Sequence, residues 1–277
     1  MKPADFAFLR DFLRKESGQF IEENKIYLLK SRLEPLARRH SLEGLEALVA
    51  QVKARPRDTL ARQVVEAMTT NETLFFRDKY PFDALSTVIF PELMQGMSPN
   101  GKIRIWSAAC SRGQETYSIA MTAIQSVPSA ERHIRILGTD IADAVLAYAE
   151  EGIYTQMEVQ RGMPVKQLVR YFEQHEGTNW RIREELRTMI SFRMANLIAA
   201  DLAVGLRMHG PFDIVFCRNV MIYFDVEDRK KVIDKIAQTM NVGGYLITGT
   251  GELVKGEHSQ WDTQRFEGRP IWKLKSK

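Results

Sequence analysis

Three stretches of this chain gather residue types that chemistry can use. The first, "WSAACSRGQETYS" (106–118), runs small residues, Ser107 to Ser111, out of an apolar segment and into a single Gly113. Small side chains let a ligand approach the backbone, and Gly113 permits a turn into a helix whose free N–H groups favour an anion. The two further glycines of the dinucleotide fingerprint are missing, which argues against a pyrophosphate-binding NAD or FAD site. An ordinary strand-to-helix turn packed by small residues is the other reading. The second stretch, "IRILGTD", ends in Asp140. An acid at the carboxyl end of a parallel strand can hold both ribose hydroxyls, or it can cap the helix beginning near Ala142. The third, "FCRNVMIYF", brings Arg218, Asn219 and Tyr223 to another strand end. Asn219 offers donors and an acceptor, and Tyr223 a phenolic hydroxyl, unless that tyrosine merely closes the core. A glycine turn and an acid at corresponding ends of adjacent strands point to a nucleoside held without pyrophosphate machinery, hence to S-adenosylmethionine.

A fourth stretch is harder to place. "MTTNETLFFRDKY" (68–80) follows a helical pattern with hydroxyls, an amide, two phenylalanines and Arg77. It lies at the seam between two compositionally different parts of the chain.

Those parts differ in period. From residue 4 to about 68, Phe6, Leu9 and Leu13, then Ile26, Leu29, Leu33 and Leu36, recur at helical spacing. Ser41 with Glu43 and Glu46 reads as a helix start, and "RPRD" (55–58) as a turn. Beyond residue 80, strands alternate with helices. Strands are expected at 103–108, 134–141, 189–198, 212–224, within "GGYLITGTGE" and in "PIWKLK", with helices beyond Gly113, at 142–152 and at 226–240. That alternation predicts a parallel sheet covered on both faces. It breaks between 153 and 188, where an insertion with a short hairpin around "EGTN" is expected.

The 277 residues are 44% hydrophobic and 27% charged, enough for a sizeable core in one large or two smaller domains. No apolar run reaches the roughly 18 residues that span a bilayer, and the charged start lacks a signal-peptide core. Cys110 and Cys217 form no CxxC pair, so neither a disulfide framework nor an extracytoplasmic location is expected. His40, His133, His175, His209 and His258 are scattered without ligand spacing, and no metal site is expected. A net charge of +4 falls short of a dedicated nucleic-acid binder.

The motifs "MTTNETLFFR", "WSAACSRGQETYSIA", "GTDI", "YFE…MISFRMANL" and "FDIVFCRNVMIYFD", in this order, resemble the chemotaxis-receptor glutamate methyltransferases, the CheR family. The resemblance covers nearly the whole chain. It implies a small helical domain (1–68), a linker contributing to the cofactor site (69–80), and an S-adenosylmethionine-dependent catalytic domain (81–277). That domain would be Rossmann-like, a mostly parallel seven-stranded α/β sheet with a small antiparallel β-subdomain inserted at about 153–188. Carried over by position, Asn71, Thr73, Arg77, Glu115, Asp140, Asn196, Leu197, Arg218 and Asn219 would bind the cofactor. Arg77 and Tyr223 would flank the transferred methyl. Arg112 and Gln114 depart from the Thr and Glu expected in the glycine turn.

The implied reaction is methyl transfer to glutamate γ-carboxylates on cytoplasmic helices of chemotaxis receptors, leaving methyl esters and S-adenosylhomocysteine. A monomeric cytoplasmic enzyme that neither enters the membrane nor binds nucleic acid is expected. The basic run "KIYLLKSRLEPLARR" (25–39) suits an acidic receptor bundle, or is a solvated helix surface. The rival functions are a methyltransferase of RNA or small molecules, and a non-enzymatic receptor-binding module.

Overall fold

The computed structural model describes residues 1–252 and 260–277, so His258 lies outside the described residues. The chain divides into two compact units. One comprises Met1–Thr70 with Ile222–Arg229, the other Asn71–Met221 with Lys230–Lys277.

The first unit is helical. Pro3–Ser17, Ile26–Arg39, Leu45–Ala54 and Thr59–Met68 each bury one apolar stripe, such as Leu29, Leu33 and Leu36 of the second helix. Gly18, at φ 74°, closes the first helix by donating its N–H to the Arg14 carbonyl. The Asp58 carboxylate caps the fourth by accepting from the Ala61 amide. The expected helix start at Ser41 is corrected. Ser41 has φ 55° in the turn that ends the second helix, and the third begins after Gly44, at φ 89°. Arg32 leaves the basic face expected of residues 25–39: its guanidinium donates to the Met68 and Thr69 carbonyls and to Thr70 Oγ1. Lys30, Arg38 and Arg39 stay exposed.

Among the described residues the second unit has ten strands: β1 (Ile103–Ala108), β2 (Ile134–Asp140), β3 (Ile153–Tyr154), β4 (Phe172–His175), β5 (Asn179–Ile182), β6 (Ile190–Met194), β7 (Phe212–Cys217), β8 (Met240–Thr248), β9 (Trp261–Phe266) and β10 (Arg269–Leu274). Seven of them form one sheet in the order β6-β2-β1-β7-β8-β10-β9. The first five run parallel, and β10 and β9 return antiparallel. Strands β1, β2 and β7 are buried along nearly their whole length, as a parallel sheet requires. The mostly parallel seven-stranded sheet is the fold expected from the sequence. A separate antiparallel sheet, β3-β5-β4, lies within residues 153–182, its hairpin turning at Glu176–Thr178 inside "EGTN". Two strands escape the sequence reading, β3 and β9. The latter is a polar edge strand held to β10 through a two-residue turn, Glu267 and Gly268, both at positive φ. No described helix is long and apolar enough to cross a membrane.

Candidate active site

At the carboxyl end of β1 the chain takes three left-handed residues in five: Ala109 (φ 59°), Ser111 (φ 51°) and Gly113 (φ 87°). Only the last is free of a Cβ penalty, and a Cβ there would lie 2.9 Å from that of Ala149. The turn is pinned to the next strand end. Cys110 donates its amide to the Thr139 carbonyl at 2.8 Å, and Ser111 its amide to Asp140 Oδ2 at 2.8 Å. Asp140 Oδ1 accepts from the Ala142 amide at 3.1 Å. The following helix begins at Asp143 with Ala142 as its cap, so Asp140 closes a local turn instead of capping that helix. Burial raises the Asp140 carboxyl above the ordinary aspartate range, and the amides of Ser111, Ala142 and Ile141 oppose that rise. A carboxylate has about four lone-pair sites, so these three amides still leave room for a ligand hydroxyl.

The 71–79 segment belongs by its contacts to the sheet unit. Phe75 is fully buried, edge-to-face with Tyr154 at 5.0 Å and with Phe172 at 5.6 Å. Phe76 packs against Phe82 at 5.2 Å, and its amide donates to Ser118 Oγ. Ser111 Oγ donates to the Asn71 carbonyl at 2.9 Å, tying the start of the segment to the glycine turn. Between these anchors Thr73 is half-buried, and Arg77 is half-buried with Nη1 donating to the Glu72 carbonyl.

Arg218 joins segment and turn from below. Its side chain is 1% exposed, with Nη1 donating to Glu115 Oε2 at 2.8 Å and Nη2 to Asp78 Oδ2 at 2.7 Å. Nη2 also donates to the Arg77 carbonyl at 3.1 Å, and Ser107 Oγ donates to Glu115 Oε1 at 2.8 Å. Both arms of this guanidinium are thus occupied, which leaves residue 218 its backbone and Nε for any ligand. Asn196 and Leu197 follow β6, where the Ala195 amide donates to the Asp140 carbonyl. Asn219, at φ 58°, donates its amide to Glu252 Oε2 at 2.7 Å, as does Gly249 at 2.8 Å.

All nine residues expected to hold the cofactor therefore lie in the sheet unit, at the end of β2, following β6 and β7, on the 71–79 segment or, for Glu115, in the first turn of the helix after β1. Tyr223 is grouped with the helical unit, where its carbonyl accepts from the Phe20 amide at 2.8 Å. Sequence reasoning missed Asp78 and Glu252, and read Ser107 and Ser111 only as small residues, not as hydrogen-bonding ones. Asp78 could have been found as the acid directly behind Arg77, and Glu252 as the acid closing "GTGE".

The donor set suits a nucleoside carrying an amino-acid tail. It offers two carboxylates, three asparagines, an apolar Leu197 and a turn rich in backbone amides. Gln114 Oε1 and Arg218 Nε are buried with no hydrogen-bond partner among the described residues, so capacity for polar ligand atoms remains. Cys110 and Cys217 are buried, and burial pushes both thiols up, so neither is a nucleophile. No described cluster of His, Cys, Asp and Glu could hold a metal ion.

Residues 71–268 match the family described as "CheR methyltransferase, SAM binding domain", and residues 4–69 match "CheR methyltransferase, all-alpha domain". This chain belongs to the CheR methyltransferase family. Its relatives include a chemotaxis protein methyltransferase of Pseudomonas putida, 39% identical over 91% of each chain. Another, from Pseudomonas aeruginosa, is 38% identical over 91% of this chain and 90% of that one. The chemotaxis protein methyltransferase of Vibrio parahaemolyticus is 37% identical over 95% and 94%. The CheR sheet unit is an S-adenosylmethionine-binding domain, and the chain is an S-adenosylmethionine-dependent methyltransferase of chemotaxis.

Proposed function

We propose that this CheR protein methylates the γ-carboxylate of glutamates on the cytoplasmic helices of chemotaxis receptors, giving methyl esters for sensory adaptation. The observation that carries this reading is the Arg218 bridge, which ties the segment presenting Arg77 to the glycine turn and its acid Glu115. Asp140 would take the ribose hydroxyls, and Asn71, Thr73, Glu115, Asn196, Leu197 and the Arg218–Asn219 backbone would line the remainder. Bound S-adenosylmethionine supplies an electrophilic sulfonium methyl.

The residues of the chain then have little proton chemistry to do. A glutamate carboxylate has a reference pKa of about 4.3 and is ionised near neutrality, so no general base is required. Orientation and exclusion of water suffice, effects worth up to roughly 7–11 kcal/mol in well-placed systems. Arg77 holds the incoming carboxylate by charge-assisted hydrogen bonds, and Tyr223 donates one more that fixes its angle. Neither moves a proton. The exposed Lys30, Arg38 and Arg39 steer the acidic receptor bundle.

Tritiated methyl transfer to receptor-containing membranes tests the reading. Base-labile label on the receptor supports it. Base-stable label, or label on RNA or small molecules alone, overturns it.

A further inference from the structure

Arg112 departs from the residue expected at its place in the glycine turn, and the structure gives that departure a partner set. Its Nη1 lies 3.4 Å from Glu158 Oε1, and its guanidinium carbon lies 5.1 Å from the centre of the Tyr148 ring. The Tyr148 hydroxyl donates to Glu158 Oε2 at 2.8 Å. Tyr154, fully buried, donates its hydroxyl to the Arg112 carbonyl at 2.6 Å. Side chain and backbone of one turn residue are thus both held by the stretch that follows β2.

Glu158 is itself fixed. Its Oε2 accepts from the Thr155 amide and hydroxyl, each at 2.9 Å, while Thr155 Oγ1 accepts from the Glu158 amide, a capping box on the Gln156–Gln160 helix. Burial favours the neutral acid, but the Thr155 amide, the Tyr148 and Thr155 hydroxyls and the Arg112 cation together bring Glu158 below the ordinary range. It is therefore anionic at neutral pH. The Tyr154 ring meets Phe75 at 5.0 Å and Tyr148 at 5.6 Å, so the contacts reach the segment that carries Arg77.

We propose that Arg112, Tyr148, Tyr154 and Glu158 form a latch through which the inserted β-subdomain holds the cofactor turn in its binding geometry. The Arg112 side chain is 48% exposed, and ion pairs so wetted contribute little stability. The pair therefore positions the turn more than it strengthens the fold. Arg112 is a positioning residue: it acts through the backbone of Ser111 and Gly113, which flank it. The inference rests on the reading that this turn faces S-adenosylmethionine.

The test is isothermal titration of S-adenosylhomocysteine into the full-length protein and its Arg112→Thr, Glu158→Gln and doubly substituted variants, with melting curves for each. Each single change is expected to weaken binding about five-fold, the size of one lost hydrogen bond. The double variant should be no weaker than the weaker single one, and melting temperatures should stay together. Arg112→Lys, which keeps the charge and loses the planar stack, should fall between. Tyr154→Phe removes only the hydroxyl beneath the turn and should also weaken binding. Wild-type affinity in the single variants, or effects that multiply in the double, would overturn the latch. Failure of the wild-type protein to bind the product would instead overturn the assignment of the turn, and the latch with it.

Discussion

Arg218 donates to Glu115 Oε2 at 2.8 Å from a side chain that is 1% exposed, and the same guanidinium reaches Asp78. A cation so placed neutralises two acids from separate parts of the chain. Removing it leaves Glu115, 13% exposed, and Asp78, 30% exposed, both without their shared cation. Arg218→Met should therefore cost about 3–5 kcal/mol of stability, the usual penalty for breaking a buried pair. Thermal unfolding measures it, and adding Asp78→Asn to the variant should recover part of the loss. Additive losses would mean that the pair is not the source.

Arg77 has no such structural burden, since among the described residues its side chain donates only to the Glu72 carbonyl. Arg77→Ala should lower kcat by roughly 100-fold or more while some product affinity remains, the pattern of a contact made more to the reacting carboxylate than to the cofactor. Turnover on receptor membranes close to wild type would remove Arg77 from the mechanism.

With Asp140 as the proposed ribose ligand, its protonation should set a pH limit on cofactor binding. Its carboxyl is raised by burial, so on acidification it takes up a proton before an ordinary aspartate does. The sign follows: the folded state binds the proton more tightly than the unfolded one, so between the unfolded and folded pKa values Asp140 lowers stability as pH rises. Ligand binding runs the other way, because ribose hydroxyls need the anion. S-adenosylhomocysteine affinity should fall as pH drops through the raised pKa, and Asp140→Asn should bind weakly with that pH dependence gone. Titration calorimetry across mildly acidic pH checks both.

Gly162 offers a steric test of the 71–79 segment. Its φ is 84°, and a Cβ there would stand 2.2 Å from the Phe75 carbonyl oxygen. Gly162→Ala must push that backbone aside or distort its own turn, at a cost of about 1–3 kcal/mol. Lower melting temperature together with reduced turnover is expected. An unchanged protein would show that the two backbones are not in contact.

The exposed pair Arg38 and Arg39 tests the proposed steering of the receptor. Arg38→Glu with Arg39→Glu should reduce kcat/KM on receptor membranes several-fold at low salt and much less at high salt, with cofactor affinity unchanged. A salt-independent or absent effect would make this face ordinary solvated surface.

Where the sequence was informative, one local rule sufficed. The β1 run at 103–108, the glycine turn and the hairpin at "EGTN" each announce themselves by period or turn chemistry. Ser41 misled because a capping residue and a turn residue share a side chain, and only the backbone distinguishes them. β9 stayed hidden because Asp262, Thr263 and Gln264 carry no apolar alternation, its order coming from β10 alongside. In the site, Asp140 was legible as an acid at a strand end, and Glu115 only through the family resemblance. The burial of Arg218 was not, because its partners, Asp78 and Glu115, lie more than a hundred residues away along the chain. Arg32 was read as a surface charge because its partners at Met68, Thr69 and Thr70 lie 36 to 38 residues further along the chain.

Phe76, Asp78 and Lys79 all have positive φ, between the buried Phe75 ring upstream and the buried Tyr80 downstream. Such a path has a fixed residue count. One amino acid inserted or deleted there would rotate Arg77 out of line with everything around it, while leaving both flanking anchors intact. Sequence drift can therefore alter what this stretch is made of far more freely than how long it is.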